Sequence, residues 1–202
     1  MPTRHRMKAP RMGEMHAHRL PIVTIHIGDL HVSKDPVRVK TVLGSCIAAC
    51  LFDPVSHIGG MNHFLLPGST DDPGLSTRYG VNAMEKLINE MMKQGAHRLS
   101  IEAKIFGGAD MFQTGNRLLM VGAMNISFIN EFLATESIPV ISSRVGGNHG
   151  LLVIYHPHTF EVFVKPLTRS KCTSTKHREK VYRGNLTKEL NRVDPGRVML
   201  FE

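Results

Sequence analysis

The chain has 202 residues, of which 42% are hydrophobic, and its formal net charge is +8. This length and apolar content predict one well-packed domain with extensions. No apolar run approaches the roughly 18 residues of a membrane span, and the leader has no apolar centre like that of a secretory signal. We therefore expect a cytoplasmic protein without membrane insertion, and three cysteines without paired spacing fit reduced thiols.

The positive charge is confined to the two ends of the chain. Residues 1–20 carry +4, residues 21–167 carry −1 and residues 168–202 carry +5. This division predicts a central domain over 21–167 between a basic N-terminal and a basic C-terminal extension. Basic ends can attract nucleic acid, but with few interleaved aromatics we expect solvated ends and no specific nucleic-acid partner.

The apolar periodicity predicts a strand-rich α/β domain. Strands are expected at residues 22–27, 30–33, 37–43, 99–106 and 139–145, with antiparallel hairpins at 46–66 and 149–167. Amphipathic helices are expected at 81–92 and 122–136, and shorter helical pieces between 181 and 190. Hairpins combined with helical crossovers predict a mixed sheet with two main helices.

The first hairpin carries the most informative pair of residues, Cys46 and His63. The run Asp53-Pro54-Val55-Ser56 between its strands is typical of a type I turn. A turn centred between residues 54 and 55 would place Cys46 directly opposite His63, with their Cβ atoms about 4.5 to 5.5 Å apart. An imidazole that close to a thiol can accept its proton and leave a thiolate.

A thiol beside an imidazole suits acyl transfer through a thioester. The sequence offers Thr41, Asn62 and Asn148 as groups that could orient the imidazole, and spacing does not choose among them. Gly44 permits a tight turn before Cys46, and the amides of Ser45 and Cys46 could form an oxyanion hole.

Three strand ends bear glycines that could converge on this site: Gly44-Ser45, Gly107-Gly108 and Gly146-Gly147. The two Gly-Gly pairs lack the spacing of phosphate-binding loops and of the dinucleotide fingerprint.

Metal binding is the competing use of the hairpin, since Cys46, Cys50, His57 and His63 could all be ligands. The spacing fits no compact zinc pattern, because two cysteines four residues apart on one strand lie about 13 Å apart. We expect no metal, and we assign Cys50 to the core.

Several sequence blocks resemble a known family in that family's order. They are Leu43-Gly44-Ser45-Cys46, Gly59-Gly60-Met61-Asn62-His63-Phe64-Leu65-Leu66-Pro67, Lys104-Ile105-Phe106-Gly107-Gly108-Ala109-Asp110, Gly122-Ala123-Met124-Asn125 and Gly146-Gly147-Asn148. Over residues 22–167 the chain resembles CheD, the chemoreceptor glutamine deamidase family. Neither extension belongs to the resemblance.

The resemblance implies that Cys46 is the nucleophile, that His63 is the base and that a threonine, here Thr41, is the third catalytic residue. It also implies a three-layer α/β fold similar to bacterial deamidase toxins, and hydrolysis of receptor glutamine amides to glutamate. The implied partners are the cytoplasmic helical bundle of chemoreceptors and a CheC-type phosphatase. No cofactor is implied. The rival hypothesis is a non-catalytic module that docks such a phosphatase or a receptor.

Overall fold

The computed structural model describes residues 20–67, 73–110 and 119–190. The elements in chain order are β1 (Ile22–Thr24), β2 (Leu30–Ser33), β3 (Arg38–Leu43), β4 (Ile47–Asp53), β5 (Ile58–Phe64), α1 (Pro73–Lys93), a 3-10 turn (Arg98–Ser100), β6 (Glu102–Gly107), α2 (Leu119–Thr135), β7 (Val140–Val145), β8 (Leu151–His156), β9 (Glu161–Pro166) and α3 (Arg169–Leu190). Over these residues, none of the helices has the length and apolar character needed to cross a bilayer.

The strands form two mixed sheets. One has the order β1-β3-β8-β9 and the other the order β2-β5-β4-β6-β7. The pairs β1–β3 and β6–β7 are parallel, and the other neighbours are antiparallel. The prediction of a mixed α/β architecture is confirmed.

The molecule has three layers, and the five-stranded sheet is the middle one. Apolar side chains of α1 and α2 cover one face of this sheet, around residues such as Leu51 and Ile105. The other face packs on the four-stranded sheet, with Leu43 and Val153 in the second core. Strand β4 is therefore buried on both faces along its whole length. Removal of both apolar faces of this sheet from water is the main favourable contribution to the free energy of folding.

The first hairpin forms, but its register differs from the sequence prediction. His63 pairs with Ala48, not with Cys46. The amide of His57 donates to the carbonyl of Asp53 at 2.9 Å, and His57 takes a left-handed φ of 56°. The resulting four-residue turn over 54–57 moves the pairing by two positions. An even shift preserves side-chain direction, so Cys46 and His63 stay on the same side of the sheet.

The C-terminal segment is more ordered than its sequence predicts. A single helix, α3, spans Arg169–Leu190, where only helical pieces after residue 181 were expected. It buries Thr175, Glu179 and Leu186. The N-terminal extension up to residue 19 and the chain from residue 191 lie outside the described residues.

The Asp53 carboxylate connects the β4–β5 turn to the 3-10 turn that precedes β6. Its buried carboxylate accepts from the amides of Val55 and His97, both at 2.8 Å, and from the hydroxyls of Ser56 and Ser100, both at 2.7 Å. Burial by itself would raise the pKa of Asp53, but these donors outweigh it and lower that pKa.

Replacing Asp53 should therefore destabilise the fold. We expect Asp53→Ala to lower the free energy of unfolding by about 2 to 4 kcal/mol, because buried donors lose a charged acceptor. Urea denaturation measures this change. The control Asp35→Ala, at an exposed position, should stay within about 0.5 kcal/mol of wild type. Equal stabilities for the two variants would contradict a stabilising role for the Asp53 hydrogen bonds.

Candidate active site

Residues 44–46, which we call the nucleophile turn after the role predicted for Cys46, connect β3 to β4 and are held through their carbonyls. The amide of Gly108 donates to the Cys46 carbonyl at 2.7 Å, and the amide of Ala109 donates to the Gly44 carbonyl at 2.8 Å. The side chain of Asn125, on α2, donates to the Ser45 carbonyl at 2.9 Å. Because every carbonyl of the turn accepts a hydrogen bond from another segment, the conformation of the turn is fixed. Its amides can then donate to acceptors outside the turn.

Glycine is required at position 107 for this contact. Gly107 has a φ of 111°, and a Cβ atom there would lie 2.1 Å from the Cys46 carbonyl oxygen. No side chain fits at that distance. The amide of Gly146 donates to the Gly107 carbonyl at 2.8 Å. The three glycine-bearing strand ends thus converge, as the sequence predicts.

His63 is buried on β5, and Thr41 on β3 orients its ring. The Thr41 hydroxyl lies 2.7 Å from His63 Nδ1 and donates its proton to the Ile25 carbonyl at 2.9 Å. Since a hydroxyl has one proton, Nδ1 must be the donor to Thr41. The proton on Nδ1 leaves Nε2 with its lone pair, and this buried Nε2 has no hydrogen-bond partner among the described residues. That tautomer is the one a general base needs.

Cys46 is fully buried on the same side of the middle sheet as His63. Its thiol donates to Oε1 of Glu179 at 3.0 Å. Glu179 belongs to α3, and its carboxylate accepts three further bonds: from the Gly44 amide at 2.9 Å, and from the Ser45 amide and hydroxyl at 3.1 and 2.7 Å. The Glu179 carboxylate thus occupies the amides of Gly44 and Ser45, and the predicted oxyanion pair of Ser45 and Cys46 shares the Ser45 amide with it.

The surroundings keep both members of the Cys46–His63 pair neutral. Burial raises the pKa of the Cys46 thiol well above its usual value, and the negative charge and hydrogen bond of Glu179 raise it further. Burial lowers the pKa of His63 to about 3, with smaller effects from His26 and Arg178. In this arrangement the site holds a thiol and an imidazole, not a thiolate and an imidazolium.

The other residues singled out in the sequence lie elsewhere. The Asn62 side chain accepts from the Ala49 amide of β4 at 3.2 Å and donates to the Ala83 carbonyl of α1 at 3.1 Å. The side chain of Asn148 is exposed and bonds to His149. Of the three candidates for orienting His63, Thr41 is the one that contacts it.

A cavity of about 350 Å³ lies between α3 and the four-stranded sheet. His63 and Thr41 line one wall, and Arg178, Glu179 and Tyr182 line the other. Over the ranges 20–67, 73–110 and 119–190, the structure holds no group of three histidine, cysteine, aspartate or glutamate side chains arranged for a metal ion.

Two residues of this site were not proposed from the sequence. Asn125 belongs to one of the sequence blocks that resemble the family, but no role was assigned to it from the sequence. Glu179 lies in a strongly polar segment that is typical of a solvated surface. Glu179 is 133 residues away from Cys46 along the chain, so no local pattern connects them.

A buried thiol, an imidazole held in its basic tautomer and a pair of anion-binding amides are the parts of a thiol-dependent hydrolase. Comparison with known proteins identifies which kind. Residues 65–166 match the family model "CheD chemotactic sensory transduction".

Curated relatives extend the match over most of the chain. "Probable chemoreceptor glutamine deamidase CheD" of Rhizobium etli (strain CIAT 652) is 50% identical over 157 residues, covering 75% of this chain and 84% of the relative. The protein of the same name from Caulobacter sp. (strain K31) is 51% identical over 152 residues, 72% of this chain and 79% of that one. The chain belongs to the CheD family.

Solved structures are more distant. Bacillus licheniformis YfiH is 15% identical with a TM-score of 0.39, covering 57% of this chain and 50% of that one. Neisseria meningitidis NMB0706 is 12% identical with a TM-score of 0.40, covering 68% of this chain and 67% of that one.

The lowered pKa of His63 makes stability depend on pH. Below the unfolded-state value of about 6.5, the unfolded chain binds a proton at His63 that the folded chain does not, so stability falls as the pH drops towards 3. We expect His63→Gln to remove about 1.4 kcal/mol per pH unit of this dependence. Urea denaturation of both proteins between pH 6.5 and 4.5 measures it. Parallel stability profiles would show that His63 is protonated in the folded state.

Proposed function

We propose that this protein is a chemoreceptor glutamine deamidase, which hydrolyses glutamine side-chain amides of a receptor to glutamate and ammonia. The observation that carries the proposal is the nucleophile turn, where the Cys46 thiol adjoins two amides that already bind a carboxylate, Gly44 and Ser45. Relatives about 50% identical carry the corresponding name. No resident cofactor is needed for this chemistry.

The proposed first half-reaction forms a thioester. His63 Nε2 accepts the Cys46 proton, and the sulfur attacks the amide carbon of the substrate glutamine. The amides of Gly44 and Ser45 bind the oxyanion that develops on the amide oxygen. The imidazolium of His63 then gives its proton to the departing nitrogen, and ammonia leaves as the carbon–nitrogen bond breaks.

The second half-reaction consumes water. His63 takes a proton from a water molecule as its oxygen attacks the thioester carbon, and the carbon–sulfur bond breaks. The imidazolium gives its proton to the departing sulfur, which regenerates the Cys46 thiol and neutral His63, and the glutamic acid product ionises to glutamate by losing a proton to solvent. Thr41 holds the His63 ring throughout, because its bond to Nδ1 fixes both the tautomer and the plane of the imidazole.

The substrate we propose is the cytoplasmic helical bundle of a chemoreceptor. Deamidation there replaces a neutral side chain with a carboxylate, which changes the repulsion between charges on neighbouring helices. A CheC-type phosphatase as a second partner, and a cytoplasmic location, are proposals that rest on the family alone.

Removing the nucleophile should abolish the reaction. With Cys46→Ala we expect no ammonia release, and no gain of about one dalton per modified glutamine in a receptor fragment followed by mass spectrometry. Binding of the fragment should persist, because the side chain is small and buried.

The matched control is Cys50→Ala. Cys50 is equally buried and lies in the same core, so this variant should retain activity. Deamidation by Cys46→Ala at the wild-type rate would refute Cys46 as the nucleophile. Loss of receptor binding without any wild-type ammonia release would favour the docking module.

Thr41 is proposed to act by positioning His63. We expect Thr41→Val to lower kcat by about 10- to 100-fold with KM little changed, since one hydrogen bond to the imidazole is lost. Thr41→Ser keeps the hydroxyl and should restore most of the rate. Steady-state kinetics, with circular dichroism to verify folding, measure both variants. Equal rates for the valine and serine variants would remove Thr41 from the mechanism.

A further inference from the structure

Helix α3 presents one face to the active site, and that face is unlike the rest of the helix. Thr175, Glu179, Tyr182 and Leu186 recur at intervals of three and four residues, the spacing of one helix face. Thr175, Glu179 and Leu186 are buried, and the Tyr182 hydroxyl lies 2.7 Å from that of Tyr79 on α1. The lysines and arginine of its middle section are exposed or half-exposed.

The side chain that reaches the nucleophile has the chemistry of the reaction product. A glutamate side chain is what hydrolysis of a glutamine amide leaves in the site. The Glu179 carboxylate takes the Gly44 amide, the Ser45 amide and hydroxyl, and the Cys46 thiol as donors. A substrate amide that reaches Cys46 needs the same space and the same amides, so Glu179 and a substrate glutamine exclude each other.

The charges of α3 also oppose activation of the pair. A thiolate at Cys46 would face the negative charge of Glu179, which raises the pKa of the thiol. An imidazolium at His63 would face the positive charge of the neighbouring Arg178, which contributes to the lowering of its pKa. Two adjacent residues of opposite charge thus each disfavour one member of the ion pair that catalysis needs.

The contact between α3 and the domain is incomplete. The cavity of about 350 Å³ separates part of the helix from β1, β3 and the segment that follows β1. Cores of folded proteins have few voids larger than a water molecule. A helix that closes over a void of this size can be displaced more easily than a helix packed along its whole length.

We propose that α3 is an autoinhibitory helix that occupies the substrate groove, with Glu179 as a mimic of the product glutamate. The groove is formed by β1, β3 and the nucleophile turn, and its alternative occupant is a receptor helix that carries a glutamine. Catalysis then requires that the substrate helix displace α3. This inference rests on the proposed function, from which the identity of the competing helix follows.

The first experiment changes the carboxylate in the full-length chain. Wild type, Glu179→Ala and Glu179→Gln are treated with iodoacetamide at pH 7.5, and modification of Cys46 is followed by peptide mass spectrometry. We expect Cys46 to react about tenfold faster or more in both variants, since each unit by which its pKa falls gives tenfold more thiolate. The control is Glu131→Ala, at an exposed position on α2, which should react like wild type.

The second experiment releases the helix without touching the site. Leu186 is buried seven residues beyond Glu179, whereas Val181 on the same helix is half-exposed. We expect Leu186→Lys to raise both Cys46 alkylation and deamidation of a receptor fragment severalfold, and Val181→Lys to leave both unchanged. Circular dichroism and urea denaturation verify that the domain remains folded.

The outcomes separate this inference from the proposed function. Unchanged alkylation in the Glu179 variants and in Leu186→Lys overturns the autoinhibitory helix, even if wild type deamidates receptors through Cys46. Loss of deamidation in Glu179→Ala and Glu179→Gln overturns it as well, since Glu179 would then belong to the catalytic machinery. Faster alkylation without receptor deamidation by any variant supports the occluding helix and refutes the proposed substrate.

Discussion

The arrangement of the active site depends on how the nucleophile turn is held. Its three carbonyls accept bonds from Gly108, Ala109 and Asn125, so the turn cannot rotate to satisfy its own amides. The close approach at Cys46 is possible because residue 107 has no side chain. Both sheets meet here, since β3 ends and β4 begins at this turn. The fold thus fixes an anion-binding pair of amides beside the thiol before any substrate arrives.

The positions and the charge states of the two proposed catalytic groups, Cys46 and His63, are set by different interactions. Thr41 fixes the His63 tautomer, yet burial keeps the imidazole and the thiol neutral. Because Cys46 is fully buried, its thiolate would need a positive charge on the nearby imidazole and no negative carboxylate beside it. A site in which both proposed catalytic groups are neutral and the thiol bonds to Glu179 is suited to control by a displaceable segment.

In this view the C-terminal helix links substrate entry to activation. A polar helix that inserts one carboxylate into the site excludes the substrate by space and disfavours the ion pair by charge. The same displacement would remove both effects together. Under this proposal α3 and a receptor helix compete for one groove, because a groove that accommodates one helix can accommodate another.

The local patterns of the sequence predict most of the fold and part of the candidate site. Strand β2 lies where the apolar run placed it, and both amphipathic helices form, because these elements depend on periodicity within a few residues. The turn chemistry of Asp53 predicts the hairpin but not its register, since the left-handed conformation of His57 adds to the turn. The even shift kept Cys46 and His63 on one side of the sheet.

Contacts between distant segments could not be predicted in this way. The choice of Thr41 over Asn62 and Asn148 required the sheet that contains β3 to pack on the sheet that contains β5. The Asn125 contact required α2 to pack on the nucleophile turn. Glu179 is the extreme case, because its sequence surroundings are those of a solvated helix. By itself the sequence determined most of the elements and the hairpin, and it placed Cys46 and His63 on one side of a sheet, because these features are local or follow from side-chain alternation. Only the tertiary structure decided which groups surround that pair, because burial and charge there come from chain segments up to 135 residues away.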